Sequence, residues 1–405
     1  MRSMIALVLA AGLAFATPLT AQGVAKTLQI YYIDTEGGQA TLFVSPSGES
    51  LMVDTGNPGS RDLDRIALAL ADAGVKQIDH LILTHYHVDH VGGLQELIKR
   101  IPVKHFYDHG PTVEMQREQV NGFQTAYAEM YAKATHTVLK PGDKVPFAGV
   151  DWRVVISAEQ PIKNPLPGAG KPNPACDTFK RQNVPGPDDN AQSVGSLITF
   201  GRFKTIDLGD LLWDNEFDLM CPNNKVGTLD LYLTSHHGLA RSGSEALVHG
   251  LQPRVALMNN GPRKGGTTQA LAILHSSPGL EDLWQLHWSY EAGVEQNTPG
   301  VFIANLDDNE TIANVLTVPA PAPRGGGAPP AAAGATVAPA VVAPGGQGQP
   351  AAVDARGGSG GFGGGRGNPA AAHTPAYWIK VTAQQDGTFT VTNARNGFTK
   401  TYRPR

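Results

Sequence analysis

Cysteine is nearly absent: 405 residues hold two, Cys176 and Cys221. Two cannot staple a small disulfide fold, and neither sits in a short-spaced pair that would hold zinc through thiolates. In an oxidising compartment they can still pair with each other. A basic excess is missing as well. Lys and Arg number 32, Asp and Glu 36, and the formal net charge is −4. No basic patch marks a non-specific nucleic-acid binder, although a nucleic-acid substrate stays open. Apolar runs long enough to span a membrane are also missing. The stretch from Met4 to Ala16 is the longest, and it is shorter than the ~20 residues a span requires.

That first stretch, "MRSMIALVLAAGLAFATPLTAQ", has a positive start, an apolar middle and small residues after it. This is the grammar of a cleaved leader, expected over residues 1–21. With it removed, no membrane span remains, and the sequence reads as that of a periplasmic or secreted protein.

Strands and helices alternate through the next part of the chain, an α/β pattern. "TLQIYYID", "ATLFVS" and "SLMVDTG" read as strands, and "SRDLDRIALALADAG" as a helix capped by Ser60 and stopped by Gly74. A Pro- and Gly-rich loop at 159–190 interrupts the alternation. Loops of this length are often rims or lids. Its Lys180 and Arg181 can meet an anionic substrate or stay solvated. Residues 26–318 are therefore expected to form the main domain. Residues 319–373 are almost all Ala, Gly and Pro, which predicts a disordered linker. Residues 374–405 alternate apolar and polar positions and carry Asp386-Gly387 and Asn396-Gly397 turn signals, which predicts β-strands docked on the main sheet.

The chemistry concentrates in "LTHYHVDHVGG" (83–93), where a strand ends. His85 and His87, two apart, can point one way. Asp89 and His90 follow as the chain turns into a helix and can serve an adjacent site. Imidazole nitrogens with one carboxylate oxygen suit zinc, with manganese or iron as alternatives. "TIDLGDLL" ends a strand at Asp210, where a bridging carboxylate belongs. "LYLTSHHG" ends another at His236 and His237. Asp54 also stands at a strand end, as a partner for a ligand imidazole or as a turn-capping residue. His109, in "FYDHGP", is expected on the surface. Trp288 and Tyr290 read as core residues more readily than as a pocket wall.

His85, His87, Asp89 and His90 fill the HxHxDH pattern, and the chain resembles the metallo-β-lactamase hydrolase family. The nearer resemblance is to the hydrolase domain of ComEC-type DNA-uptake competence proteins, through "IDTEGGQATLF", "SLMVDTG", "NAQSVGSLITFGRFKTIDLGDL" and "TSHHG". It covers about residues 28–260. The resemblance implies an αββα sandwich with one or two zinc ions at one sheet edge. It implies His85, His87, Asp89, His90, Asp210 and His237 as metal ligands, with Asp89 also orienting a metal-activated hydroxide. In "SHHG", His237 precedes the glycine as in the family's form, which leaves His236 facing substrate as a proton donor or phosphate contact. His236 as the ligand stays open. One departure matters. Much of the family supplies a third histidine to the His85/His87 side, and here Asn190 stands at that place.

The resulting expectation is an exported metal-dependent hydrolase acting on a phosphoester or phosphodiester, with a small-molecule or phosphoester substrate. Hydrolysis of a lactone, ester or β-lactam is the first alternative. A metal-binding or iron redox protein without hydrolase activity is the second. Motif and fold do not choose among them.

Overall fold

Successive residues of a strand face opposite ways. Accordingly β3 (Ser50–Val53) sends Leu51 and Val53 into one apolar cluster and Met52 into another. β12 (Leu231–Leu233) sends Leu231 and Leu233 into the same cluster as Leu51, and Tyr232 into a third. Two sheets thus share one inner core, and each buries its outer face as well. The outer face of the first sheet meets Leu63, Ile66 and Leu70 of α1 (Ser60–Asp72) and Leu94 and Leu97 of α3 (Leu94–Arg100). That of the second meets Leu219 of α5 (Trp213–Met220) and Leu247 and Leu251 of α6 (Glu245–Leu251). The architecture is an αββα sandwich. The structure, a computed structural model, describes residues 26–306 and 376–405. The leader expected at 1–21 and the linker expected at 319–373 lie outside the described residues.

The first sheet contains β1 (Leu28–Tyr32), β2 (Thr41–Val44), β3, β4 (Ile78–Ile82), β5 (Val103–Asp108) and β6 (Thr135–Val138). β16 (Ile379–Ala383) pairs antiparallel with β1, placing Ile30 opposite Val381, and β17 (Phe389–Asn393) and β18 (Thr399–Tyr402) follow it outward. Ile379, Val381, Phe389 and Val391 are fully buried in the inner core. Three strands that would be marginal alone gain a hydrophobic face this way.

The second sheet runs in the order β15 (Ile303–Asn305), β14 (Asp282–His287), β13 (Val255–Met258), β12, β11 (Phe203–Asp207), β10 (Gly195–Phe200), β8 (Val150–Ser157) and β7 (Lys144–Phe147). β3 to β5 run parallel, and so do β11 to β14. The loops leaving the carboxyl ends of β3, β4, β11, β12 and β13 carry residues 54, 83–90, 208–210, 234–238 and 259–266. In open parallel sheets, ligands bind at such strand ends.

Two local readings change. α1 begins at Ser60, but its cap is Gly59 at φ +99°, and Ser60 makes no capping bond. Asp62 ties down the turn before the helix instead, accepting 2.7 Å from the Asn57 N–H. The 159–190 loop is anchored along its length. Cys176 is disulfide-bonded to Cys221, with Cα atoms 5.8 Å apart, and the Asn173 side chain donates 2.8 Å to the Ala246 carbonyl.

Candidate metal centre

Asp54 leaves β3 with a left-handed backbone, φ +58°, a conformation a non-glycine residue holds only when its surroundings impose it. Its carboxylate is fully buried. It accepts 2.8 Å from the Thr84 N–H and 2.6 Å from the Thr84 hydroxyl, and its Oδ2 lies 2.7 Å from His90 Nδ1. The Thr84 hydroxyl has one proton, which goes to Asp54. At His85 Nδ1, 3.0 Å away, that hydroxyl must accept. His85 therefore carries its proton on Nδ1, and its Nε2 presents a lone pair. That Nε2 is buried and has no hydrogen-bond partner. Burial, then repulsion from His90 and His87, holds the His85 imidazole well below its ordinary range, so it is neutral. A buried, neutral, unpartnered imidazole nitrogen is what a metal ion requires of a ligand.

Four side chains meet in front of it. His90 Nε2 lies 3.3 Å from His237 Nε2, 3.4 Å from Asp89 Oδ2 and 3.2 Å from Asp210 Oδ2. His237 Nε2 lies 3.3 Å from Asp89 Oδ2 and 3.3 Å from Asp210 Oδ1. Four donors about 2.0–2.1 Å from a tetrahedral ion stand about 3.3 Å from one another, so the donor set fits zinc in type and spacing. The charges fit as well. Burial raises the Asp89 carboxyl, but Lys264, His90 and His237 outweigh it and hold Asp89 well below the carboxylate range. Burial also lowers His90, but Asp210, Asp89 and Asp54 outweigh it and hold the imidazole well above its ordinary value. The carboxylates around His90 demand positive charge.

Asp210 lies between the two sides. Its Oδ2 is 3.9 Å from His85 Nε2 and 3.4 Å from His236 Nε2. His236 and His237 both take left-handed backbone angles, φ +53° and +57°, which turns two adjacent imidazoles toward one carboxylate. His237 joins the four-residue group and His236 stays outside it, its Nδ1 3.1 Å from the Ser242 hydroxyl. On the other side, His87 Nδ1 stands 2.8 Å from Asn190 Oδ1. Its Nε2 stands 3.2 Å from Glu114 Oε2 and 3.1 Å from Arg117 Nη1. His87 thus groups with Glu114 and Asp188 beside Asn190, while the other group has two imidazoles and two carboxylates.

His109 is not on the surface. Its side chain is buried, with Nε2 3.3 Å from Asp189 Oδ2. Asp189 also accepts 2.8 Å from the Tyr86 N–H and 2.7 Å from the Thr112 hydroxyl, so it braces the backbone between His85 and His87. Trp288 is buried against Ile303, and Tyr290 is exposed beside Arg263. Lys180 and Arg181 turn toward α5: the Lys180 carbonyl accepts 2.9 Å from Trp213 Nε1, and Arg181 pairs with Asp218 and covers Phe217. The cations near the site are others, Lys264 on Asp89, Arg117 on Glu114 and Arg241 on Asp188. The glycines around Lys264 in "GPRKGG" were a signal for it. Nothing near His87 in sequence points to Glu114 or Arg117, about thirty residues on.

Residues 34–158 match the family described as the metallo-beta-lactamase superfamily. The chain is 29% identical over 195 residues to ComE operon protein 3 of Bacillus subtilis, covering 47% of this chain and 21% of that protein. It is 35% identical over 82 residues to an atrochrysone carboxyl ACP thioesterase of Pseudocercospora fijiensis, covering 20% of this chain and 24% of that protein. The chain spans half or less of the length of the curated relatives it matches. Among solved structures, the metallo-beta-lactamase fold protein YhfI of Bacillus subtilis aligns with a TM-score of 0.39 and 13% identity, over 64% of this chain and 96% of that chain.

Proposed function

We propose that this chain, which carries a metallo-β-lactamase superfamily domain, is an exported zinc-dependent hydrolase of phosphoesters or phosphodiesters. The observation that carries the hydrolytic reading is the convergence of His90 and His237, each with its Nε2 3.2–3.4 Å from the other and from Asp89 and Asp210, beside the unpartnered Nε2 of His85. A divalent ion bound there supplies Lewis acidity and makes water a nucleophile near neutral pH. The chain supplies the rest. Asp54 and Thr84 set the ring tautomers of His85 and His90. Asp89 is a ligand, and Lys264 restrains it. Burial, with further repulsion from His237, Lys264 and Arg241, pushes His236 down to about 4, against the pull of Asp210. His236 is therefore a neutral imidazole at pH 7, able to hydrogen-bond beside Asp210.

Export is supported by the leader-like start and by the Cys176–Cys221 bond, since disulfides persist mainly in oxidising compartments. Among the described residues no helix is long and apolar enough to cross a membrane. The phosphoester reading leans on the similarity to ComE operon protein 3 and on the absent third histidine at the His85/His87 side. A second reading, ester or thioester hydrolysis, is favoured by the similarity to a thioesterase.

The test is hydrolysis of bis-p-nitrophenyl phosphate and p-nitrophenyl acetate by zinc- or manganese-loaded protein. Metal-dependent release from the diester, lost in the His85→Ala, Asp210→Ala double variant, is the expected result. No turnover with either metal, or turnover that survives the double substitution, sinks the proposal. Ester cleavage alone moves the assignment to the second reading.

A further inference from the structure

Three ion pairs at the metal centre expose the cation more than the acid. In Lys264–Asp89, Arg117–Glu114 and Arg241–Asp188 the cation side chains are 40%, 39% and 33% exposed, and the carboxylates 12%, 5% and 16%. Lys99–Glu96 and Arg100–Asp64 expose both partners by nearly half or more, whereas Lys400–Asp282 and Lys104–Asp79 share the asymmetry. At the metal centre the acids point inward and the cations outward. The three acids fall in two neighbouring groups of metal-type side chains. Asp89 belongs to the four-ligand group, and Glu114 and Asp188 cluster with His87. Lys264 and Arg241 both lie close enough to His236 to repel its charged form.

Lys264 is held there by its backbone. Gly37, at φ +91°, faces it so closely that a β-carbon would lie 2.8 Å from Lys264 Cβ. Gly265, at φ +78°, packs as closely on His237, with the same 2.8 Å to His237 Cβ. The Gly266 N–H donates 3.0 Å to the His237 carbonyl. Loop 261–266 is therefore seated on a metal ligand, and its one lysine reaches over Asp89. Among the described contacts, the Lys264 ammonium directs one of its three donors to Asp89, and the Arg241 guanidinium one of its five to Asp188.

We propose that Lys264 and Arg241, with Arg117 on the His87 side, form a cationic rim that binds the anionic oxygens of a phosphoryl group held over the metal centre. This rests on the metal-dependent reading above and names the substrate class as anionic. Arg suits bidentate recognition of phosphoryl oxygens, and Lys supplies a compact point charge.

The experiment measures binding of inorganic phosphate to the zinc-loaded protein by calorimetry, for the parent and for Lys264→Gln, Arg241→Gln and the double variant. All are compared at matched zinc content and after checking that each melts cooperatively. Each single change is expected to weaken phosphate binding about tenfold or more, the scale of one charge-assisted hydrogen bond. The loss should shrink as salt is raised. KM for bis-p-nitrophenyl phosphate should rise by a larger factor than KM for p-nitrophenyl acetate. Arg241→Lys, which keeps the charge, should recover part of the affinity. Phosphate affinity within twofold of the parent in both single variants overturns the rim, as does an equal loss toward the neutral ester. A parent that binds phosphate through these side chains but cleaves no phosphoester keeps the rim and sinks the reaction class instead.

Discussion

Asp54 Oδ2 lies 2.7 Å from His90 Nδ1, and the same carboxylate takes the proton of Thr84, whose oxygen faces His85 Nδ1. One buried acid therefore sets the outward nitrogen of an imidazole on each side of the metal centre. Partners of this kind are typically worth 10- to 100-fold in metal affinity. Asp54→Ala should weaken zinc binding by about that factor, measured by competition with a chelating indicator. Unchanged affinity would remove Asp54 from the centre.

The two sides should fill unequally. Two imidazoles and two carboxylates face one ion position, while both ring nitrogens of His87 are engaged by Asn190, Glu114 and Arg117. At limiting zinc the first equivalent should occupy the Asp89/His90/His237 side. His237→Ala should abolish that tight equivalent, and Asn190→His should tighten the second. Metal-to-protein ratios after gel filtration would read both, and two equally tight equivalents in the parent would contradict the asymmetry.

Asp207 gives a pH dependence. Burial, then the charge of Asp54, pushes its carboxyl from 3.8 up to about 6, against the bonds it accepts from the Gly209 N–H and Gln39. A folded-state value above the unfolded one means the folded protein keeps a proton the unfolded chain releases. That stability is fully present below about pH 4 and is lost as pH rises through 6. The shift amounts to about 3 kcal/mol. Urea melts of metal-free protein from pH 4 to 7 should show a decline that Asp207→Asn removes. An identical pH slope in the two proteins would argue against it.

The Cys176–Cys221 bond spans 45 residues of sequence. Closing a loop of that size removes chain entropy worth up to about 4 kcal/mol from the unfolded state. Cys176→Ser with Cys221→Ser should lower the urea midpoint markedly, and reductant should do the same to the parent. If neither moves the midpoint, the bond contributes nothing to stability.

Much of the candidate centre was legible because its residues sit where strands end. Apolar runs such as "HLILT" and "TIDLGD" mark buried strands, and polar residues just past them are committed to the sheet edge. Asp54, the 85–90 motif, Asp210 and the paired histidines all have this form. The burial of His109 was not legible, because it depends on Asp189, eighty residues away, which no local pattern reveals. Lys180 and Arg181 were candidate anion contacts by charge and loop position alone, and the packing of their loop on α5 turned them away.

By itself, the sequence determined the candidate ligand types and their order along the strands, because side-chain chemistry and strand periodicity are local properties. Which of His236 and His237 faces the four-ligand group was decided only by the two left-handed residues that turn the chain there. The tautomers of His85 and His90, the brace on Tyr86 and the outward cations over inward acids were likewise decided in three dimensions. Each needs groups from separate strand ends brought within hydrogen-bonding distance, and only the closed sandwich does that.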